Sequence, residues 1–235
     1  MTGAHDGAAP VAVPLGEAVT GWLAAWVGSG LFATALLLAA DPTAGTTPTL
    51  LALSAGIQWV ALLAVTVYLV RRHGSGRFAT DIGLRVRPID LLGIPAGVVA
   101  QLGLVPLVYV PLRAVWPATF DADEIERRAR ELWESASGSG AVLLVLVVVV
   151  GAPLVEEIVY RGLLQRSLAG RFGRTAAWAI GAALFAGIHL QAVELPGLLV
   201  AGLVFGAGLL LTGRLGASVL AHVAFNAAGL VLVAR

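Results

Sequence analysis

AVLLVLVVVVGAPL (141–154) runs directly into VEEIVYRGLLQR (155–166). The first stretch carries no charge; the second begins with two adjacent carboxylates, Glu156 and Glu157. A bilayer core about 30 Å thick is crossed by about 20 apolar residues in a helix. The segment 141–168 therefore predicts a membrane helix with both carboxylates inside it. An ionisable side chain at the centre of such a helix costs about 2.5–3.5 kcal/mol on insertion scales. Two in succession call for partners or for chemistry.

The rest of the chain supports a membrane setting. Its 235 residues are 58% hydrophobic and 12% charged, with a mean hydropathy of +0.90. Soluble domains carry about a quarter charged residues, so this composition predicts an all-α polytopic bundle. Cysteine is absent, which excludes disulfides and thiolate chemistry. A net charge of +1 gives no support for nucleic-acid binding. All 15 basic residues are arginine, as a G+C-rich bacterial coding bias would produce. Residues 1–17 contain no Lys or Arg and so lack the positive region of a secretory signal. They read as a disordered tail with His5 as a solvated bystander. Residues 18–235 read as one transmembrane domain.

Seven segments approach spanning length: about 18–40, 49–70, 89–112, 141–168, 175–191, 196–212 and 216–234. Asp41-Pro42 bounds the first and Arg71-Arg72 the second. Trp22, Trp26, Trp116 and Trp178 fall near span ends, where an amphipathic ring is favoured. Arg71, Arg72, Arg77, Arg85 and Arg87, then Arg161, Arg166, Arg171 and Arg174, then Arg214 fall on one side of such a bundle. The positive-inside rule makes that side cytoplasmic, with the N-terminus inside and the C-terminus outside a bacterial plasma membrane. Loop 113–139 carries four arginines on the opposite side, along with six acids. Within it, Asp123/Arg127, Glu124/Arg128 and Glu126/Arg130 are i,i+4 pairs. Ile125, Ala129, Leu132 and Trp133 share a face, which predicts a short amphipathic helix at the membrane surface.

The later spans hold the informative polar residues. Glu157 and Arg161 stand four apart with the acid first, the favourable order for an ion pair. Glu156 lies about 100° round the helix and is left to face a cavity. Phe185 and His189 share a face of span five, as His222 and Asn226 do in span seven. With the hairpin tip at Phe172-Gly173, Glu156 and His189 are each 16 residues away, about 24 Å along their helices. A carboxylate, two imidazoles and a carboxamide at similar depth can activate water and stabilise an oxyanion. Glu156, His189 and His222 are also a ligand set that zinc accepts, with water in the fourth position. His73 reads as a solvated charge, Gln165 and Glu194 as interfacial, and Gln58 and Gln101 as hydrogen-bonding a neighbouring helix.

EEIVYR (156–161), FAGIH (185–189) and HVAFN (222–226) resemble the EExxxR, FxxxH and HxxxN motifs of the CPBP family of intramembrane proteases. That family includes CAAX prenyl endopeptidases and bacteriocin-processing or self-immunity proteins. The three occur in order over a motif-bearing core at about 141–230, and DIGLR (81–85) is similar to a phrase such proteins often carry. The resemblance implies an endopeptidase acting on a membrane-associated peptide or protein. Glu156 and His189 would activate the water. His222 and Asn226 would stabilise the oxyanion, or His222 would join His189 as a metal ligand. Glu157 and Arg161 would orient the site and Phe185 would pack. No cofactor is required in the preferred reading, with zinc the alternative. A non-catalytic scaffold or immunity protein and a proton relay or transporter are the competing classes.

Overall fold

The computed structural model describes residues 13–40 and 47–234, and those residues are helical with no strands. The elements are α1 (Leu15–Ala40), α2 (Pro48–His73), the single turn α3 (Phe78–Asp81), α4 (Pro88–Val115), α5 (Ala122–Glu134), α6 (Ser139–Phe172), α7 (Arg174–Gly187), α8 (Leu195–Thr212) and α9 (Gly216–Val233). Six of them, α1, α2, α4, α6, α8 and α9, are long and apolar enough to cross a membrane. The predicted fifth span, 175–191, is α7, which has only 14 helical residues and ends at Gly187 rather than 191. The chain unwinds there, and Leu190 adopts a left-handed φ of 54°. Most of the expected tail, residues 1–12, and the Asp41-Pro42 boundary lie outside the described residues, as does His5. Helix α1 begins at Leu15, immediately after Pro14, so residues 15–17 belong to the first span.

Local chemistry sets the ends. The Thr47 side chain accepts the Leu50 N–H at 3.2 Å with Pro48 at the first helical position, so α2 starts there. Arg71, Arg72 and His73 fill its last turn, where the carbonyl ends favour cations. His73 is not merely solvated: its Nε2 lies 3.0 Å from Glu17 Oε2, joining the ends of α1 and α2. Gly173, at φ +82°, makes the sharp α6–α7 turn where the hairpin tip was expected.

DIGLR plugs the arginine-rich end. Asp81 accepts Ser75 N–H at 3.0 Å and Ser75 Oγ–H at 2.7 Å, and Ile82 is fully buried. Gly83 O accepts Leu215 N–H at 2.9 Å, which ties the loop to the α8–α9 turn. Asp90, also fully buried, takes Arg214 at 2.8 and 3.3 Å.

Small residues let the helices close around the site. Gly93 and Gly97 of α4 lie against the carbonyls of Ala217 and Ala221 in α9. Such small-residue crossings replace the hydrophobic drive that lipid removes. A Cβ at Gly97 would collide with the Ala221 carbonyl, which is backbone and cannot swing aside. Gly97→Leu is therefore expected to displace α9 and lower thermal stability by 3 kcal/mol or more, on the order of the worst overpacking costs. A melting curve in detergent that matches wild type would refute that account.

Outer faces are apolar: Leu31, Phe32, Val60, Leu107 and Leu211 stand largely uncovered by protein, as lipid contact requires. Helix α5 forms over Ala122–Glu134 as predicted. The expected pairs Asp123/Arg127, Glu124/Arg128 and Glu126/Arg130 lie outside the side chains described. Arg127 meets Glu131 at 2.8 Å.

Candidate active site

Helix α6 carries the carboxylates through an irregular stretch. Leu146–Gly151 and Glu157–Gln165 run with i→i−5 bonding, on either side of Pro153. Such wide turns are uncommon and concentrate at functional sites. Here the cause is visible. Ala152 N–H bonds Val147 O, five residues back. The next position in that register is Pro153, which has no N–H, so Val148 O is left without its helical donor. Asn226 Nδ2 of α9 donates to that carbonyl at 2.8 Å. One amide hydrogen of Asn226 thus stitches α9 to the break in α6, and the second remains for other work.

Glu157 is completely buried. Its Oε1 accepts His222 Nδ1–H at 2.9 Å and lies 3.1 Å from Arg161 Nη1. Arg161, also buried, donates Nη2–H to Gly202 O at 3.0 Å. Its guanidinium carbon sits 4.7 Å above the Phe185 ring and 5.6 Å from that of Phe205. One helical turn on, Gln165 donates to Gly206 O at 3.1 Å. The expected interfacial Gln165 is therefore a buried link between α6 and α8, possible because Gly202 and Gly206 offer bare backbone.

Glu156 has the opposite environment. A quarter of its side chain (25%) is uncovered, whereas Glu157 is at 0%. The Glu157–Arg161 pair with a freer Glu156 follows the i,i+4 spacing. The spacing gave no sign that His222 stands between the two carboxylates. Its Nδ1 is on Glu157, and its Nε2 is 3.9 Å from Glu156 Oε2. Phe205 stacks flat on the imidazole at 4.2 Å and 17°, fixing the ring plane. Phe205 had no signal in the sequence, being one more apolar residue in an apolar span.

His189 lies in the turn after α7 rather than in a helix. Its own N–H turns back to Ala186 O, and its ring Nδ1 bonds Phe185 O at 2.7 Å. A carbonyl only accepts, so Nδ1 carries the hydrogen and Nε2 of the neutral ring is a bare acceptor. Phe185 does more than pack. Its ring contacts both His189, at 5.0 Å, and His222, at 5.8 Å. The structure thus gathers all three motifs round one phenyl ring, through Arg161, His189 and His222. Tyr109 of α4 donates its hydroxyl to Val193 O at 2.7 Å, pinning the segment that follows His189.

Among the described residues, no group of three or more His, Cys, Asp or Glu side chains is gathered to hold a metal ion. The Glu156, His189 and His222 set does not close into a ligand shell in this arrangement.

Two variants separate anchoring by Asn226 from direct catalysis. Pro153→Ala restores an N–H at the break, so Val148 O regains a helical donor. Asn226→Ala alone is expected to cost about 1–3 kcal/mol through the orphaned carbonyl. In the Pro153→Ala background the same change is expected to cost under about 0.5 kcal/mol. Thermal unfolding of the four proteins gives the coupling directly, and equal costs in both backgrounds would remove the stitch.

Residues 138–228, which hold all the side chains of the three motifs, match the family model described as type II CAAX prenyl endopeptidase Rce1-like. No curated protein and no solved structure matches the chain.

Proposed function

We propose, from the match of residues 138–228 to the Rce1-like CAAX endopeptidase model, that this chain is a glutamate-dependent intramembrane endopeptidase of the CPBP type, cutting a membrane-associated peptide or protein. The carrying observation is the asymmetry of the carboxylates. Glu157 is dry, ion-paired and bonded to His222, whereas Glu156 is partly open and faces the other nitrogen of the same imidazole.

The 3.9 Å between His222 Nε2 and Glu156 Oε2 is too long for a direct bond and suits a water held between them. Glu156 takes a proton from that water as general base. His189, with Nδ1–H committed to Phe185 O, offers Nε2 as second acceptor. The hydroxide adds to the scissile carbonyl, and the proton passes to the departing amine.

The charge count favours a donor role for His222. Glu156 and Glu157 bring two negative charges, and Arg161 brings one positive. The negative charge left over favours a hydrogen-bond donor, not a further acceptor, on the side of His222 that meets Glu156. His222 Nε2–H and the remaining Asn226 amide hydrogen then stabilise the oxyanion. Each such donor contributes about 2.7–4 kcal/mol in comparable sites. No step in this scheme passes through a metal.

The reading takes the bundle as a bacterial plasma-membrane protein with its N-terminus inside. The test is a profile of new peptide termini across membrane proteins of cells that carry or lack this chain. Termini that need the chain and persist within twofold in the presence of a zinc chelator are expected. Identical profiles, with the protein inserted and folded, would give the scaffold or immunity reading the advantage.

A further inference from the structure

At the arginine-rich end, where the α6–α7 turn meets the last turn of α8, lies a cavity of about 550 Å³. Arg166 and Arg174 line it together with Gln165, Leu209, Leu211 and Thr212, and no Asp or Glu does. Arg166 donates Nε–H to Ile82 O at 3.1 Å and Nη2–H to Gly213 O at 2.8 Å. Arg174 donates to Leu210 O. Neither guanidinium pairs with a carboxylate among the described residues, and Nη1 of each retains its hydrogens for a ligand.

Capping the α8 carbonyls does not balance this charge. A helix C-terminus carries about half a negative charge, against two full positive charges in the cavity. More than one positive charge is left over in a pocket that opens beside Leu211, itself 81% uncovered and facing lipid. This is the end of the bundle that also presents Arg77, Arg85 and Arg87 on the neighbouring loop. Basic pockets between membrane helices on such an end select anionic headgroups. A neutral headgroup brings no net charge to offset the excess.

We infer that the Arg166–Arg174 cavity binds one phosphate-bearing anion, the phosphodiester headgroup of an anionic phospholipid, with an acyl chain along Leu211. Two guanidiniums suit the several oxygens of one phosphate. The inference does not depend on the proteolytic reading, because the cavity is built from residues outside the motif side chains. Bound lipid would clamp the α6–α7 turn against α8.

Native mass spectrometry of the full-length protein in detergent, titrated with phosphatidylglycerol or phosphatidylcholine, tests this. One phosphatidylglycerol per chain is expected to survive activation that strips phosphatidylcholine. Arg174→Gln, an exposed position, is expected to weaken that retention about tenfold. Arg77→Gln, at the same end but away from the cavity, is expected to leave it unchanged. Displacement of the lipid by millimolar inorganic phosphate would identify free phosphate as an equally good source of the anion; resistance to it would identify the lipid. Equal retention of both lipids, or equal weakening by Arg174→Gln and Arg77→Gln, would mean general surface charge and overturn the site.

Discussion

Glu156→Gln is expected to lower cleavage by about 10³ while the protein remains inserted and folded. The amide matches the carboxylate in size, so packing around it is kept. What disappears is the general base, and positioned acid–base groups of this kind contribute 10²–10⁴ in rate. Stability is expected to move little, because Glu156 is partly uncovered and, among the described residues, makes no direct ion pair closer than 3.9 Å. A melting temperature within about 2 °C of wild type fits a change under about 0.5 kcal/mol. Glu156→Asp keeps the base but draws it back by one methylene, so an intermediate rate is expected. The measurement is the rate of appearance of new termini in vesicles holding equal amounts of each protein. Wild-type rates from Glu156→Gln would end the proposal that this carboxylate activates water.

Much of this arrangement can be read from the sequence, and the limits are physical. Hydropathy alone separates the long spans, because about 20 uninterrupted apolar residues have few other uses. Alpha7 is the instructive miss. Residues 175–191 are apolar enough to suggest a full span, but apolarity does not say whether the backbone stays helical. The helix stops at Gly187, and a left-handed Leu190 with His189 in the turn replaces its last residues. That break frees Phe185 O for the imidazole, so it builds the site rather than disturbing it.

Spacing within one helix was equally legible. Glu157 and Arg161 meet because four residues make one turn. Contacts between helices had no such ruler. Nothing in HVAFN announces that His222 meets Glu157 or that Asn226 reaches Val148 O. Pro153 held the only hint of the second, since a proline inside a span must orphan a carbonyl that something else has to satisfy. Gln165 and His73 look solvated or interfacial by residue type, yet each has a partner from a distant segment, Gly206 and Glu17.

The same geometry predicts that Arg161→Ala damages the fold more than any change at Glu156. Removing the guanidinium leaves Glu157 buried at 0% exposure with His222 as its one polar partner among the described residues. Breaking a buried pair on one side costs about 3–5 kcal/mol, because the remaining charge has lost its compensation. Gly202 O also loses its donor, and Phe185 and Phe205 lose the cation between them. The expected fall in melting temperature in detergent is roughly 10 °C or more. Replacing both partners, as Glu157→Gln with Arg161→Met, removes the stranded charge and keeps the volume. It is expected to recover most of the stability, since apolar substitutes for buried ion pairs are often neutral or better. Cleavage is not expected to recover with it. A glutamine still accepts from His222 Nδ1, but it no longer places a negative charge behind the imidazole that faces the reacting carbonyl. Stability restored together with full activity would show that the pair is scaffolding alone. Stability restored with activity still lost would show that Glu157 acts on the reaction through His222.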